Sequence, residues 1–204
     1  PSSHSVSNDN FKCFPCTGFS SNRYTGEKSA MVFTVNVNWW NTDGSSFGVS
    51  KVKIADQLAP AIRKAMLESD EIMVEQFLDG TEITMGIYKT REKTVLLPIT
   101  EVVTQNEFFD YNAKYNGQVQ EITPARIPED TARRVREITS HIYDILHCNG
   151  IIRIDYIISP QGKITMLEVN TTPGMTATSF IPQQVKAAGL SMTEILTDIV
   201  ENQF

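Results

Sequence analysis

The chain has 204 residues, 41% of them hydrophobic and 21% charged, with a net charge of −6 and a pI of about 5.1. That length allows a buried core in one large or two small domains, and the acidic balance supplies no basic field for nucleic acid or an anionic membrane. No apolar run reaches the roughly 20 residues that cross a bilayer. The first residues, PSSHSVSNDNFKCF, lack the charged-then-apolar pattern of a secretory leader, so the expected location is the cytoplasm. Three cysteines (Cys13, Cys16 and Cys148) are too few, and odd in number, for a disulfide framework. Cys13-Phe14-Pro15-Cys16 has C-x-x-C spacing, but no second Cys or His pair completes a zinc site.

Residues 1–30 are rich in Ser, Asn, Gly and Thr, hold no period, and read as loop. MVFTVNV (31–37) alternates like a strand; NTDGSSFG (41–48) is a glycine-serine loop; VSKVKI follows as a second strand. ADQLAPAIRKAMLESD reads as a helix with Leu58, Ile62, Ala65 and Met66 on one face, Pro60 fitting only its first turns. EIMVEQF (71–77) is a strand leading to the turn Asp79-Gly80, and TEITMGIYK and TVLLPITEV are two strands joined by TREK. NEFFDYNAKYNGQVQEITPA (106–125) reads as a long loop, and loops of that length are often functional. A helix should run from Pro128 to about His147, with Val135, Ile138, Ile142 and Leu146 on one stripe and Asn149-Gly150 ending it. The strands IIRIDYII and KITMLEVN follow, then a short helix near 182–188 and a last helix opened by a capping box of Ser191 and Glu194. Strands and helices mix without strict alternation, which predicts an α+β fold.

The two late strands predict a hairpin around Ser159-Pro160-Gln161-Gly162. If Ile158 pairs with Lys163, Arg153 lies opposite Glu168 and Asp155 opposite Met166. One face then carries Arg153, Asp155, Glu168 and Asn170; the other carries Ile152, Ile154, Tyr156, Leu167 and Val169 as core. A solvated sheet face with an Arg–Glu pair is the plain alternative. Two carboxylates and an amide oxygen together, however, make a hard oxygen site of the kind Mg²⁺ takes, completed by water and phosphate oxygens. With no histidine or cysteine nearby, zinc does not suit it.

At this point the sequence resembles a known family. RIDY followed by LEVNTTPGMTATS is similar to the metal and substrate motif of the D-alanine–D-alanine ligases, within the ATP-grasp superfamily. The resemblance extends from about Asp43 through GSSFGVSK, VEQFLDGTEIT, FFDYNAKY, PARIP and the PQQ…AAG tail, roughly four fifths of the chain. It implies an ATP-grasp fold of two α+β subdomains clasping the nucleotide: part of the small one in 41–80, the C-terminal one in 81–204, and 1–40 unassigned. The family's N-terminal α/β domain, which binds the first D-alanine, has no counterpart in residues 1–40. The expectation is therefore a fragment or shortened form.

Residue by residue, the resemblance implies that Asp155, Glu168 and Asn170 hold two Mg²⁺ ions (Mn²⁺ being an alternative) against the phosphates of ATP, with Glu168 bridging. Arg153 and the backbone N–H of Gly174 would stabilise a tetrahedral oxyanion, and Ser179 would hold the carboxylate of the second amino acid. Without the resemblance, Ser179 is an ordinary helix N-cap. Glu75, Phe77 and Leu78 would border adenine and Glu82 the ribose; Ser45 and Ser46 would cover the phosphates; Lys114 and Tyr115 would sit in a closing loop, Tyr115 matching the dipeptide-forming members. The partners implied are D-alanine and ATP, with a homodimer left open. The implied activity is Mg²⁺-dependent synthesis of D-alanyl-D-alanine for peptidoglycan precursors. Another ATP-grasp carboxylate–amine ligase and a nucleotide-binding module without ligase activity are the alternatives. The second is favoured by Trp39-Trp40, which stand where the family has a phosphate-gripping Lys-Pro.

Overall fold

A computed structural model of the chain describes residues 33–37, 50–68, 72–104 and 119–204. All of them belong to the second of two units, Met31–Phe204. They form two antiparallel sheets with helices packed on them, the α+β arrangement expected.

The smaller sheet has the order β2-β1-β3, with β1 (Phe33–Val37) between β2 (Ser50–Val52) and β3 (Ile72–Gln76). Helix α1 (Leu58–Ala65) closes a small core in which Ala61 and Ala65 meet Val52, flanked by Leu58, Ile62 and Ile72. The second strand is shorter than expected and the helix starts later: residues 55–57 form one 3₁₀ turn, fastened by the Gln57 side chain accepting from the Lys53 N–H at 2.9 Å. Met66, expected on the buried stripe, lies past the helix end and is 54% exposed.

The larger sheet runs β7-β6-β4-β8-β9, with β5 also paired to β4. Its centre is β4 (Thr81–Lys89) against β8 (Ile151–Ile158), matched over eight residue pairs from Thr81↔Ile158 to Tyr88↔Ile151. Period-2 alternation sends Ile83, Met85 and Ile87 of β4, and Ile152, Ile154, Tyr156 and Ile158 of β8, to one face. There they meet Ala132, Val135 and Tyr143 of α2 (Glu129–Ile145). Two tyrosines of that layer have partnered hydroxyls: that of Tyr156 pairs with Thr139 Oγ1 at 2.7 Å, and that of Tyr143 donates to the Gly150 carbonyl at 2.8 Å. Burial pushes the Tyr156 phenol up to about 12, so it stays neutral at physiological pH.

Helix α2 stops two residues short of the expected His147. His147 itself takes the left-handed conformation (φ 50°), so that its N–H reaches the Asp144 carbonyl and the Cys148 N–H reaches the Tyr143 carbonyl. Leu146 is left outside the stripe and 52% exposed. The run TVLLPITEV, read as one strand, is two: β5 (Thr94–Leu96) and β6 (Thr100–Thr104). Pro98 has no N–H for a ladder, and the chain leaves the sheet around it. The expected loop over 106–125 ends in a strand, β7 (Val119–Ile122), paired with β6; residues 105–118 lie outside the described residues.

That break leaves a gap beside β4, which pairs with β6 only up to Thr84 and with β5 only from Ile87. Helix α3 (Phe180–Ala187), which starts two residues earlier than expected, fills it with Gln184, whose side chain is fully buried. Its Oε1 accepts from the Gly86 N–H at 3.0 Å, and its Nε2 donates to the Thr84 carbonyl at 3.0 Å and to Thr100 Oγ1 at 3.1 Å. A buried side-chain amide thus replaces the missing strand. Ile181 and Val185 of α3 and Ile195 of α4 (Met192–Glu201) complete a second core with Tyr88, Leu97 and Ile151. The Ser191 hydroxyl accepts from the Glu194 N–H at 3.5 Å, the N-capping half of the expected box.

The segment after β7 is pinned by an ion pair. Glu101 of β6, 8% exposed, accepts from the backbone N–H, Nε and Nη2 of Arg126 at 3.1, 2.9 and 2.8 Å. The Arg126 side-chain hydrogen bonds hold the Glu101 carboxyl below its ordinary value of 4.5, against the opposing effect of burial.

Two outcomes are expected. A Cβ on Gly86 would stand 2.5 Å from Ile181 Cδ1, 2.8 Å from Leu97 Cδ1 and 2.9 Å from Gln184 Oε1. Gly86→Ala should therefore cost ~1–3 kcal/mol of stability by overpacking, read as a lowered urea midpoint; an unchanged midpoint would refute close docking of α3. Because the folded pKa of Glu101 is depressed, its stabilisation is complete above pH 4.5 and lost as pH falls through the lower folded value. The gap in stability between the parent and Glu101→Gln should thus be largest near pH 7 and shrink below pH 4.5. A gap that stays constant down to pH 2 would contradict it.

Candidate functional site

The face of the large sheet opposite α2 is covered at one end by α3 and α4. Its other end carries the expected polar group, and a β-bulge is what puts it there. β9 (Ile164–Asn170) pairs Ile164 with Ile158 and Met166 with Tyr156, one residue out from the expected register. Continued straight, that ladder would set Glu168 opposite the fully buried Ile154. Instead the register shifts at Leu167, and Glu168 pairs with Asp155 and Asn170 with Arg153. The expected face is recovered with different partners. Leu167, expected in the core, is the extra residue of the bulge and is 43% exposed.

Arg153 organises the face. Its Nε donates to Asp155 Oδ1 at 2.9 Å and its Nη2 to Asp155 Oδ2 at 2.8 Å, with Glu168 Oε1 at 3.5 Å from Nη2. Both partners are mostly buried, at 16% and 15% side-chain exposure. Burial works against the guanidinium charge. The Asp155 hydrogen bonds and the fields of Asp155, Glu168 and Glu82 outweigh it, so the Arg153 pKa is raised. The Phe180 ring, at the start of α3, lies 5.3 Å from the guanidinium carbon. From β4, Thr84 Oγ1 donates to Asp155 Oδ1 at 2.5 Å, and Glu82 shares the Thr84 face of the strand.

The turn after β9 brings two more expected residues together. Asn170 Oδ1 accepts from the Thr172 N–H at 3.1 Å, turning the chain toward the buried Pro173. A Cβ on Gly174 would stand 2.8 Å from Ser179 Oγ, so that turn packs on the serine. Ser179 occupies the N-cap position of α3 but makes no capping hydrogen bond; its hydroxyl pairs with Thr176 Oγ1 at 2.8 Å. The simple capping role is therefore corrected.

Glu75 lies on β3, and Phe77 and Leu78 on the link from β3 to β4. The Lys51 ammonium sits 3.6 Å from the Phe77 ring centroid. Ser45, Ser46, Lys114, Tyr115, Trp39, Trp40 and the Cys13/Cys16 pair lie outside the described residues. Sequence reading missed Thr84, Phe180 and Gln184. Thr84 had a signal, since it shares β4's alternation with Glu82; the other two act across long chain separations that no local pattern reveals.

The donor set suits one class of ion. Asp155, Glu168 and Asn170 offer only oxygen, and among the described residues no three His, Cys, Asp or Glu side chains gather closely enough to hold a metal. A divalent ion here would need the Asn170 amide and outside oxygens, from water or phosphate, to complete its shell. That fits Mg²⁺ and not a soft metal. No helix among the described residues is long and apolar enough to cross a membrane.

Comparison with known proteins shows the family to which the sequence is similar. The sequence model of the family described as D-ala D-ala ligase C-terminus matches residues 8–201. A D-alanine--D-alanine ligase of Phocaeicola vulgatus is 67% identical over 164 residues, covering 80% of this chain and 51% of that protein. Among solved structures, the VanG D-Ala:D-Ser ligase from Enterococcus faecalis superimposes with a TM-score of 0.71 at 30% identity, covering 87% of this chain and 51% of that one. The D-alanine--D-alanine ligase from Bacillus anthracis complexed with ATP does so with a TM-score of 0.62 at 25% identity, covering 85% and 51%. The chain spans about half the length of the curated relatives it matches.

Deleting Leu167 tests the bulge. Loss of an exposed residue ordinarily costs little. Here it should cost little too, ~0.5 kcal/mol or less, because joining Met166 to Glu168 gives a straight ladder that still sets Glu168 opposite Asp155. Urea denaturation measures it, and a loss of ~2 kcal/mol or more, that of a carboxylate forced into the core without its partner, would show that Leu167 is not the residue the bulge takes up.

Proposed function

The chain belongs to the D-alanine–D-alanine ligase family, matching its C-terminal portion, and from that premise we propose that it carries the ATP, Mg²⁺ and amino-acid chemistry of D-alanyl-D-alanine synthesis. The observation that supports this reading best is the shared face of Asp155, Glu168 and Asn170 beside Arg153, next to the turn in which Gly174 meets Ser179.

In this proposal Asp155, Glu168 and Asn170 would hold Mg²⁺, which would supply positive charge to offset that of the transferring phosphoryl group. The γ-phosphoryl group of ATP passes to a carboxylate oxygen of the first D-alanine, giving an acyl phosphate and ADP. The amine of the second D-alanine attacks the acyl carbon, a proton is lost from nitrogen, and phosphate leaves as the peptide bond closes. Arg153 and the Gly174 N–H meet the oxyanion of the tetrahedral intermediate. For Arg153 this is a role of position: Asp155 grips one edge of the guanidinium and Phe180 lies across its face, so the charge is set in place before the reaction. Ser179 holds the second carboxylate. Glu82 meets the ribose, and Glu75, Phe77 and Leu78 border the adenine. Ser45, Ser46, Lys114 and Tyr115 complete the enclosure of the phosphates. No protein nucleophile is required.

A second reading, a nucleotide-binding module without ligase activity, draws support from Trp39-Trp40 in place of the family's Lys-Pro. The deciding measurement is D-alanyl-D-alanine formed per ATP consumed, with this chain as the sole protein. The expected result is Mg²⁺-dependent ATP consumption that Glu168→Gln lowers by about 100-fold or more, the scale of one lost electrostatic contact to the reacting charge. Dipeptide should form at a low rate, because none of the residues assigned here holds the first D-alanine and lost positioning can forfeit several of the ~7–11 kcal/mol that proximity supplies. ATP binding with no consumption would favour the second reading. Consumption indifferent to Glu168→Gln would refute the assigned site.

A further inference from the structure

We propose that Thr84 is a positioning residue of the cation site: its hydroxyl, donating to Asp155 Oδ1 jointly with Arg153 Nε, leaves Asp155 Oδ2 as the oxygen that meets a divalent cation. This rests on the reading of Asp155 as a cation ligand. An ionised carboxylate has about four acceptor positions, two on each oxygen. Oδ1 accepts twice, from Thr84 Oγ1 at 2.5 Å and Arg153 Nε at 2.9 Å, which uses both of its positions. Oδ2 accepts once, from Arg153 Nη2 at 2.8 Å, which leaves it one. Without the Thr84 hydroxyl the two oxygens become equivalent acceptors, each with one bond from the arginine, and the carboxylate gains a second way of presenting itself.

Thr84 is well placed to enforce that choice. It is 2% exposed and stands directly opposite Asp155 in the ladder between β4 and β8. Its own backbone is fixed, because its carbonyl accepts from the buried Gln184 Nε2. A chain of hydrogen bonds thus runs from α3 through β4 to the carboxylate. Groups that orient a ligand without touching the ion commonly control metal affinity about as strongly as some ligands do. The oxygen-donor character of the site makes Mn²⁺ a usable probe.

The test is Mn²⁺ binding to the full 204-residue chain, followed by the electron paramagnetic resonance signal of free Mn²⁺. Thr84→Val keeps the shape and removes the hydroxyl, and should weaken Mn²⁺ binding about 10-fold or more. Thr84→Ser restores the hydroxyl and should bind within about twofold of the parent, a rescue that a purely structural role would not produce. Should Thr84→Val not fold, Thr84→Ala against Thr84→Ser isolates the same oxygen, and equal affinities there would overturn the proposal. Asp155→Asn separates the levels. If it loses Mn²⁺ binding while Thr84→Val binds like the parent, the positioning role is overturned and the ligand reading stands. If Asp155→Asn itself binds like the parent, the ligand reading falls and the positioning role falls with it.

Discussion

A strand that changes neighbours halfway along leaves backbone groups facing nothing, and the amide of Gln184 answers that problem. β4 gives up β6 after Thr84 and takes β5 from Ile87, because the chain between those two strands leaves the sheet around Pro98. The exposed positions lie in the protein interior, where an unmet N–H or carbonyl costs ~1–3 kcal/mol. One primary amide, with a donor and an acceptor on the same carbon, spans the opening. Gly86 makes the approach possible by lacking a Cβ where Ile181, Leu97 and Gln184 converge. Helix α3 is therefore registered on the sheet by hydrogen bonding as well as by apolar contact, and it cannot slide by a turn without orphaning these groups.

The position of the polar face follows from that registration. With α3 fixed, Phe180 lies across the Arg153 guanidinium and Ser179 lies against the Gly174 turn. Arg153 then does two things at once. It neutralises the carboxylates gathered on a half-buried sheet face, which would otherwise repel one another, and it is held ready as a cation beside them. Its raised pKa expresses the first of these, since the fields of Asp155, Glu168 and Glu82 more than offset the burial of its charge. The bulge at Leu167 is the second geometric condition. It sacrifices one residue of ladder so that Glu168 and Asn170 face Arg153 and Asp155 and not the core.

The described side chains of the two sheets are covered differently. The large one is covered on its α2 face by a continuous apolar layer and on the other by α3 and α4. Among the described residues, the small one has three buried core side chains, and β3 leaves Met73 and Val74 at 38% and 43% exposure. The cation-ligand candidates stand on the large sheet, and the residues proposed for adenine stand on β3 and the link that follows it. The chain spans about half the length of the curated relatives it matches.

By itself the sequence determined the period-2 strands, the helices, and the gathering of Arg153, Asp155, Glu168 and Asn170 on one face. Alternation of side chains is a local property of an extended chain, and it survives any choice of partner. The motif RIDY with LEVN was legible as a resemblance to a known family, and the capping serine of α4 from its spacing to Glu194. The partners themselves were decided by tertiary structure. The hairpin register came out one residue from the expected pairing, and Leu167 left the core, because a bulge is chosen by what each face must meet and not by its own sequence. The split of TVLLPITEV, with Pro98 visible in the sequence, took its meaning only from the gap it opened beside Gly86. Phe180 and Gln184 carried no readable role, since each acts on a residue tens of positions away, Gln184 being 98 residues from Gly86; Thr84 showed its face through the alternation it shares with Glu82, but not its partner Asp155, 71 residues on. A hydrogen bond depends on distance in space, which a chain of amino acids acquires only when it folds.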